Sequence, residues 1–336
     1  MKRRITLNTL ASLLTVAGLG LSLIPVAVQA QNKTVIKIGW TTSDGAQDPY
    51  AMGARAFKTA VERDSNGSLE VQLYPNRQLG DERQLLEGMR FGTVDGGVIT
   101  NAVIAQIEPA FSVNDLPFLF SNEDQAHKAF DGAVGVELSK RLLSKGIVML
   151  GYMEGGFRNM INNKRPVTSP GDVQGVKYRV MQNPVFIDMF TSLGGSAIPM
   201  AWGETFTAVQ QGTIDGLEIP LAVIDANKYY EVTKYLSLTN HTYSMIGLTM
   251  SKRSLDKLTP EQRKAIMSAA KSSTAVQRTA AVADAKKTLS ALEKNGMKIN
   301  AIADVAAFRK SVAPVYDKFR QGGNGPLLEM ALTAVK

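Results

Sequence analysis

VKYRVMQNPVFIDMFTSLGGSAIPMAWGETFTAVQQGTIDGLEI, residues 176–219, alternates strand-like and helix-like segments. KYRV, SAIPM and IDGLEI are short, largely apolar runs that predict strands. A helix predicted from Pro184 separates the first two strands, and a helix predicted from Trp202 separates the second and third. Strands that alternate with helices are typical of an open, mostly parallel sheet covered by helices. The segment therefore predicts an α/β fold.

A short internal repeat extends this pattern to the first third of the chain. Residues 92–96 read GTVDG and residues 212–216 read GTIDG, each between a predicted helix and a predicted strand. Each lies ten residues after a helix start, at Glu82 and at Trp202. Coincidence is the alternative, since Gly-Thr and Asp-Gly are common turn dipeptides, but the matching context favours duplication. Two copies predict two similar lobes, with ligands bound between them beyond the carboxyl ends of the strands.

The remaining elements fit the same class. Strands are predicted at 34–39, 69–74, 94–99 and 147–152, and helices at about 50–63 and 81–91. Thr259-Pro260-Glu261-Gln262 combines an N-cap, a proline at the first helical position and a capping-box glutamine. The helical pattern then continues to about residue 295, roughly 54 Å at 1.5 Å per residue. Such a helix would span both lobes; a kinked pair around Ser272-Ser273 is the alternative.

The amino terminus has the pattern of a secretory signal peptide. Lys2, Arg3 and Arg4 precede an apolar run, and the small residues of Val28-Gln29-Ala30 suit cleavage after Ala30. A membrane anchor is the alternative reading, which Pro25 and the small-residue exit disfavour. No comparable run follows, so we expect a protein that is not membrane-inserted after cleavage of residues 1–30.

Composition excludes several kinds of chemistry. There is no cysteine, which removes disulfides, thiolate nucleophiles and iron–sulfur clusters. The formal charge of +8 is spread along the chain without a polybasic block, so nucleic acid is not expected as a partner. His127 lies in NEDQAHK, which predicts a solvated helix face, and His241 lies in a predicted strand end or turn. With these two histidines far apart and no phosphate-binding loop or nucleophile elbow, we expect no metal, no cofactor and no catalysis.

Long motifs identify a family resemblance. GFRN at 156–159, SPGDVQGVKYRV at 169–180, LGGSAIPMAWGETFTAVQQGTIDGLEIP at 193–220 and KYYEV at 228–232 resemble the TRAP-transporter solute-binding proteins, the DctP family. LYPNRQLGDERQLLEGMRFGTVD at 73–95 and LPFLF at 116–120 look like the first lobe of the same family.

The resemblance implies a type II-like periplasmic-binding-protein fold with two α/β lobes, joined by crossover strands and a long spanning helix. It places lobe I at 31–155 plus about 244–283, lobe II at 156–243 plus about 284–336, and the spanning helix at about 260–295. It implies a periplasmic protein that captures a small organic acid, either a sugar acid or a C4-dicarboxylate, and delivers it to TRAP membrane subunits. A ligand-sensing subunit for a signalling partner and, less favoured, an enzyme on a two-lobed fold are the alternatives.

The family's carboxylate anchor matches Arg179, in Lys177-Tyr178-Arg179-Val180, and its second arginine matches Arg158. A guanidinium suits this role because its planar fork pairs with both oxygens of a carboxylate. The alternative for either arginine is a surface or lobe-internal salt bridge.

The other candidate residues are less specific. Trp202 either stacks on the ligand or packs in the core, and Glu204 either accepts a ligand hydroxyl or suits a first helical turn. The remaining candidates are positions that line the cleft in relatives or follow the arginine strand: Thr41, Glu82, Gln182 and Asn183. Glu82 could equally be a charge at a helix start. Ile219 stands where many relatives have asparagine, which predicts a less polar wall and leaves the ligand open.

Overall fold

One nine-stranded sheet runs through residues 33–336, the part of the chain that the computed structural model describes. The predicted signal peptide lies outside these described residues. The strands are β1 Thr34–Gly39, β2 Leu69–Tyr74, β3 Gly96–Thr100, β4 Ile147–Asn162, β5 Lys177–Val180, β6 Ser196–Pro199, β7 Gly216–Pro220, β8 Tyr235–Ser251 and β9 Lys298–Ala301. Their order is β2-β1-β3-β8-β4-β7-β5-β6, and β9 pairs with β8.

Helices cover both faces of this sheet. They are α1 Pro49–Asp64, α2 Glu82–Phe91, α3 Asn101–Ile104, α4 Glu123–Asp131, α5 Ala133–Ser144, α6 Pro184–Ser192, α7 Trp202–Gln210, α8 Leu221–Ala226, α9 Lys252–Asp256, α10 Pro260–Lys294, α11 Val305–Phe319 and α12 Gly325–Ala334. A 3-10 helix spans Pro109–Asp115. The α/β prediction is confirmed.

The two ends of the sheet have the same topology. The first half of the molecule, residues 33–146, holds β2-β1-β3, and the second half, residues 163–234, holds β6-β5-β7; all pairs within each set are parallel. The match extends to single atoms, because Asp95 accepts a hydrogen bond from the Lys37 amide and Asp215 accepts one from the Lys177 amide, both 2.9 Å long. This correspondence supports the predicted duplication.

β4 and β8 join the halves as a long antiparallel pair of 16 and 17 residues. The prediction of a strand at 147–152 covers only the start of β4. His241, which was predicted at a strand end or turn, lies inside β8. Register shifts interrupt the pair between Met149 and Gly151, Glu154 and Gly156, and Arg158 and Met160. Two of the predicted lobe boundaries, 155/156 and 243/244, fall at the second of these shifts, where Gly156 pairs with Ser244.

Two apolar cores lie on opposite faces of the sheet. Neighbouring strand residues point to opposite faces, and in β4 Met160 enters one core while Ile161 enters the other. The first core includes residues of α2, α4–α6, α11 and α12, and the second includes residues of α1, α7, α8 and α10. Each core therefore contains side chains from both halves.

The predicted long helix is confirmed as α10, 35 residues and about 52 Å long. Its capping box forms as expected, since Gln262 N donates to Thr259 Oγ1 and Thr259 N donates to Gln262 Oε1. The helix is continuous through Ser272-Ser273, so the kinked pair is not observed. α10 packs on α1, β4 and α8, and thus contacts both halves. None of the described helices is long and apolar enough to cross a membrane.

Candidate ligand-binding site

A cavity lies between the halves at the carboxyl ends of β1, β3, β5 and β7. Its lining residues come from both halves: Thr41, Thr42, Tyr50, Glu82, Thr100, Arg158, Arg179, Met181, Trp202, Ile219, Pro220 and Val223. A neighbouring space shares Glu82, Arg179, Met181 and Trp202 and continues to exposed residues such as Gln182. The predicted cleft between duplicated units is therefore present.

Arg179 is the one lining cation that lacks a carboxylate partner among the described residues. Its side chain is 2% exposed, Nε donates to the Met200 carbonyl at 2.9 Å, and Nη1 lies 3.4 Å from Met181 Sδ. Burial lowers the pKa of Arg179, because desolvation disfavours the charged form and the nearby carboxylates only partly offset it. A buried guanidinium at a cavity wall is stabilised by an anion placed in that cavity.

Arg158 is paired inside the protein. Its Nε and Nη2 donate to the two carboxylate oxygens of Glu218 at 2.5 and 2.8 Å, and Nη2 also donates to the Glu218 carbonyl. Burial opposes the charges, but their attraction outweighs it and holds the pKa of Arg158 above, and that of Glu218 below, the usual values. His241 Nε2 lies 3.2 Å from Glu218, and burial lowers the pKa of His241. Only Nη1 of Arg158 has no carboxylate oxygen to bind, and a ligand contact through it stays a prediction.

Glu82 supplies acceptor oxygen to the cavity from the first half. It begins α2 and is 6% exposed, and its Oε1 accepts from the amide and hydroxyl of Thr100 at 2.7 and 2.8 Å. The Tyr50 hydroxyl lies 2.6 Å from Thr100 Oγ1. Burial raises the pKa of Glu82, although these hydrogen bonds and Arg179 act against the shift. The cavity thus combines a cationic wall with a carboxylate and several hydroxyls.

The cavity wall between these polar groups is largely apolar. Trp202 lines it and also packs against Tyr229, with ring centroids 5.4 Å apart, so the side chain faces both the cavity and the core. Ile219 lines the cavity and is buried, as expected for a less polar wall. Thr41, the other first-half candidate, also lines it.

Three candidates lie elsewhere. Glu204 is exposed in the first turn of α7 and does not line the cavity. Gln182 is exposed at its mouth. Asn183 is buried, but its Oδ1 accepts from the Val185 amide and its Nδ2 donates to Asp115, so both ends of its amide bind protein.

Several residues escaped sequence reasoning. His127, predicted on a solvated helix face, is only partly exposed, and its Nε2 lies 2.7 Å from the buried Glu154. Tyr50 and Thr100 belong to no recognisable motif. Glu218 lies in LEIP at 217–220, where only Ile219 was predicted to line the site. In residues 33–336, no group of three or more histidine, aspartate or glutamate side chains is arranged to hold a metal ion.

Comparison with known proteins gives consistent matches. The model of the bacterial extracellular solute-binding proteins, family 7 (DctP), matches residues 41–322. The 2,3-diketo-L-gulonate-binding periplasmic protein YiaO of Escherichia coli is 33% identical over 273 residues, 81% of this chain and 83% of its own.

Two solved structures are similar over nearly their whole length. The sugar acid binding protein of Advenella mimigardefordensis in complex with galactonate has a TM-score of 0.87 and 34% identity, covering 90% of this chain and 98% of its own. A TRAP periplasmic solute-binding protein from a Polaromonas species bound to D-erythronate has a TM-score of 0.85 and 36% identity, covering 89% and 98%.

Proposed function

The chain belongs to family 7 of the bacterial extracellular solute-binding proteins, and we propose that it captures a hydroxylated monocarboxylic acid of the sugar-acid class between its halves. The observation that carries this proposal is Arg179, a buried guanidinium that has no carboxylate partner among residues 33–336 and faces the cavity. A ligand carboxylate would pair with the remaining guanidinium nitrogens in a site from which water is largely excluded.

Glu82 favours a hydroxylated acid over a dicarboxylate. Its buried carboxylate lines the same cavity as Arg179, and a second ligand carboxylate beside it would bring two like charges together. A hydroxyl group instead donates a hydrogen bond to an ionised carboxylate. The hydroxyls of Thr41, Thr42 and Tyr50 provide further donors and acceptors along the wall.

Three of the relatives' ligands fit this chemistry. Galactonate, D-erythronate and 2,3-diketo-L-gulonate, named for the three relatives above, each carry one carboxylate and several hydroxyl or keto oxygens. We propose that the acid is captured in the periplasm and delivered to TRAP membrane subunits, with the closed halves forming the surface those subunits meet.

Calorimetric titration tests the ligand class. The protein is unfolded and refolded to remove any carried-over ligand, then titrated with D-galactonate, D-erythronate and succinate. We expect saturable binding of at least one sugar acid, and at a thousandfold excess over its Kd a thermal stabilisation of about 4 kcal/mol. Preference for succinate would contradict the role of Glu82, and binding of no carboxylate by the folded protein would contradict the proposal as a whole.

A further inference from the structure

Two carboxylate–amide pairs connect the first half to the second half beside the cavity. In one pair, Asn227 Nδ2 at the end of α8 donates to Asp48 Oδ2 at 3.3 Å. Asp48 Oδ1 caps α1 and also accepts from the Thr42 hydroxyl at 2.8 Å. Ser43 strengthens the connection, because its amide donates to Asn227 Oδ1 and its hydroxyl donates to the Ala226 carbonyl, each at 3.0 Å.

The second pair joins Asp115 of the first half to Asn183 of the second. Asn183 Nδ2 donates to Asp115 Oδ2 at 2.9 Å, while Asp115 Oδ1 accepts from Asn101 Nδ2 at 2.9 Å. Asn183 Oδ1 caps α6 by accepting from the Val185 amide at 2.8 Å. Asp115 and Asn183 are 3% and 1% exposed, so water does not compete for these bonds.

The pairs share one design. In each, the residue that caps a helix of one half uses its second polar atom to bind a residue of the other half. The first pair lies between α1 and α8, which pack into the second core, and the other lies between the Pro109–Asp115 helix and α6, which pack into the first core. The cavity is therefore flanked by one pair on each face of the sheet.

Opening of the cleft would break both pairs and expose their polar side chains to water. We propose that Asp48–Asn227 and Asp115–Asn183 are positioning residues that hold the two halves closed and set ligand affinity without contacting the ligand. The inference rests on the proposed function for its link to affinity, but the closure itself can be measured without any ligand.

A polarity swap in the second pair is the test. Asp115→Asn leaves one acceptor oxygen where Asp115 has two, so Asn101 Nδ2 and Asn183 Nδ2 must compete for it. Asn183→Asp turns a carboxylate toward Asp115 while still capping α6. Each single change therefore weakens or reverses the attraction between the two residues. The double variant restores one donor and one acceptor, with the direction of the bond reversed. It therefore distinguishes loss of the hydrogen bond from damage to the fold. Asn227→Ala tests the first pair and leaves the capping bonds of Asp48 in place.

Closure is followed by the distance between spin labels on cysteines introduced at Arg90 and Gln210, both exposed and in different halves. The chain has no cysteine of its own, so only these positions are labelled. In ligand-free protein we expect a closed population that shrinks in both single variants and in Asn227→Ala, and returns in the double variant. Asn66→Asp, an exposed turn residue without a side-chain bond, is the matched control and should change nothing.

Affinity for D-galactonate should fall at least tenfold in the single variants and recover to within threefold of the original in the double variant. Single variants that keep the closed population, or a double variant no better than the worse single one, would overturn the inference. So would ligand-free protein that never samples the closed distance. If the original chain binds no acid, the proposed function fails, while the label distances still decide whether the pairs hold the halves.

Discussion

Replacing Arg179 with methionine removes the proposed carboxylate anchor while keeping most of its volume. The side chain already lies beside Met181 and Met200, so a thioether suits its surroundings. The change removes one hydrogen bond to the Met200 carbonyl and the only lining guanidinium without a carboxylate partner in residues 33–336. The bound acid would then bury its carboxylate without a cation of its own, because the charge of Arg158 is matched by Glu218.

The size of the effect follows from burial. Truncating one member of a buried, hydrogen-bonded charge pair costs roughly 2–5 kcal/mol of binding free energy. With only 2% of Arg179 exposed, solvent screens little of the interaction, so we expect the upper part of this range. About 3–5 kcal/mol corresponds to a loss of affinity of roughly 100- to 4000-fold, at 1.4 kcal/mol per factor of ten.

Calorimetric titration with D-galactonate measures the loss, and thermal unfolding of ligand-free protein measures the effect on the fold. Because burial already disfavours the charged form of Arg179, the ligand-free variant should unfold at the same or a higher temperature. Arg165→Met, an exposed arginine in the same half, is the matched control and should change affinity less than twofold. An affinity loss below tenfold for Arg179→Met would refute the anchor role.

Three further changes test other parts of the structure. Glu82→Gln should weaken D-galactonate binding and strengthen succinate binding, because it removes the repulsion between the Glu82 carboxylate and a second ligand carboxylate. Unchanged selectivity in titrations would contradict this role of Glu82. Gly216→Ala should lower the free energy of unfolding by about 2 kcal/mol or more in urea titrations, because the added Cβ would clash with the Ile161 carbonyl oxygen. Gly322→Ala is the control and should not lower it, because its added Cβ meets nothing within 4 Å. Burial raises the pKa of Asp48 to about 6 and that of Asp115 to about 7, so the folded protein binds protons more readily than the unfolded chain. The free energy of unfolding should therefore fall as the pH rises from 5.5 to 8, and a pH-independent melting temperature would contradict this linkage.

Local signals predicted the repeated units and α10 well. KYRV, the helix starts at Pro184 and Trp202, and the capping box at Thr259 each depend on residues within one turn or strand. The duplicated GTVDG and GTIDG predicted a relation between distant parts of the chain, because both copies carry the same glycine turn and the same aspartate.

Contacts between residues far apart in the chain could not be predicted from the sequence. β4 contains Gly151, Gly155 and Gly156, and its register shifts break the period of two that identifies a strand, so only its start was predicted. His127 looked solvated because its partner Glu154 lies on a different element. Asp48 before Pro49 signals a helix start, but nothing local shows that its second oxygen binds Asn227 in the other half.

The sharing of both apolar cores by the two halves has a consequence for how the molecule melts. Two lobes that merely touched would unfold separately and give two calorimetric peaks, as independent domains do. Here neither half can expose its interior without disrupting side chains of the other, and β4 and β8 belong to both. The protein should therefore lose its structure in one cooperative step, and neither half should fold when expressed alone.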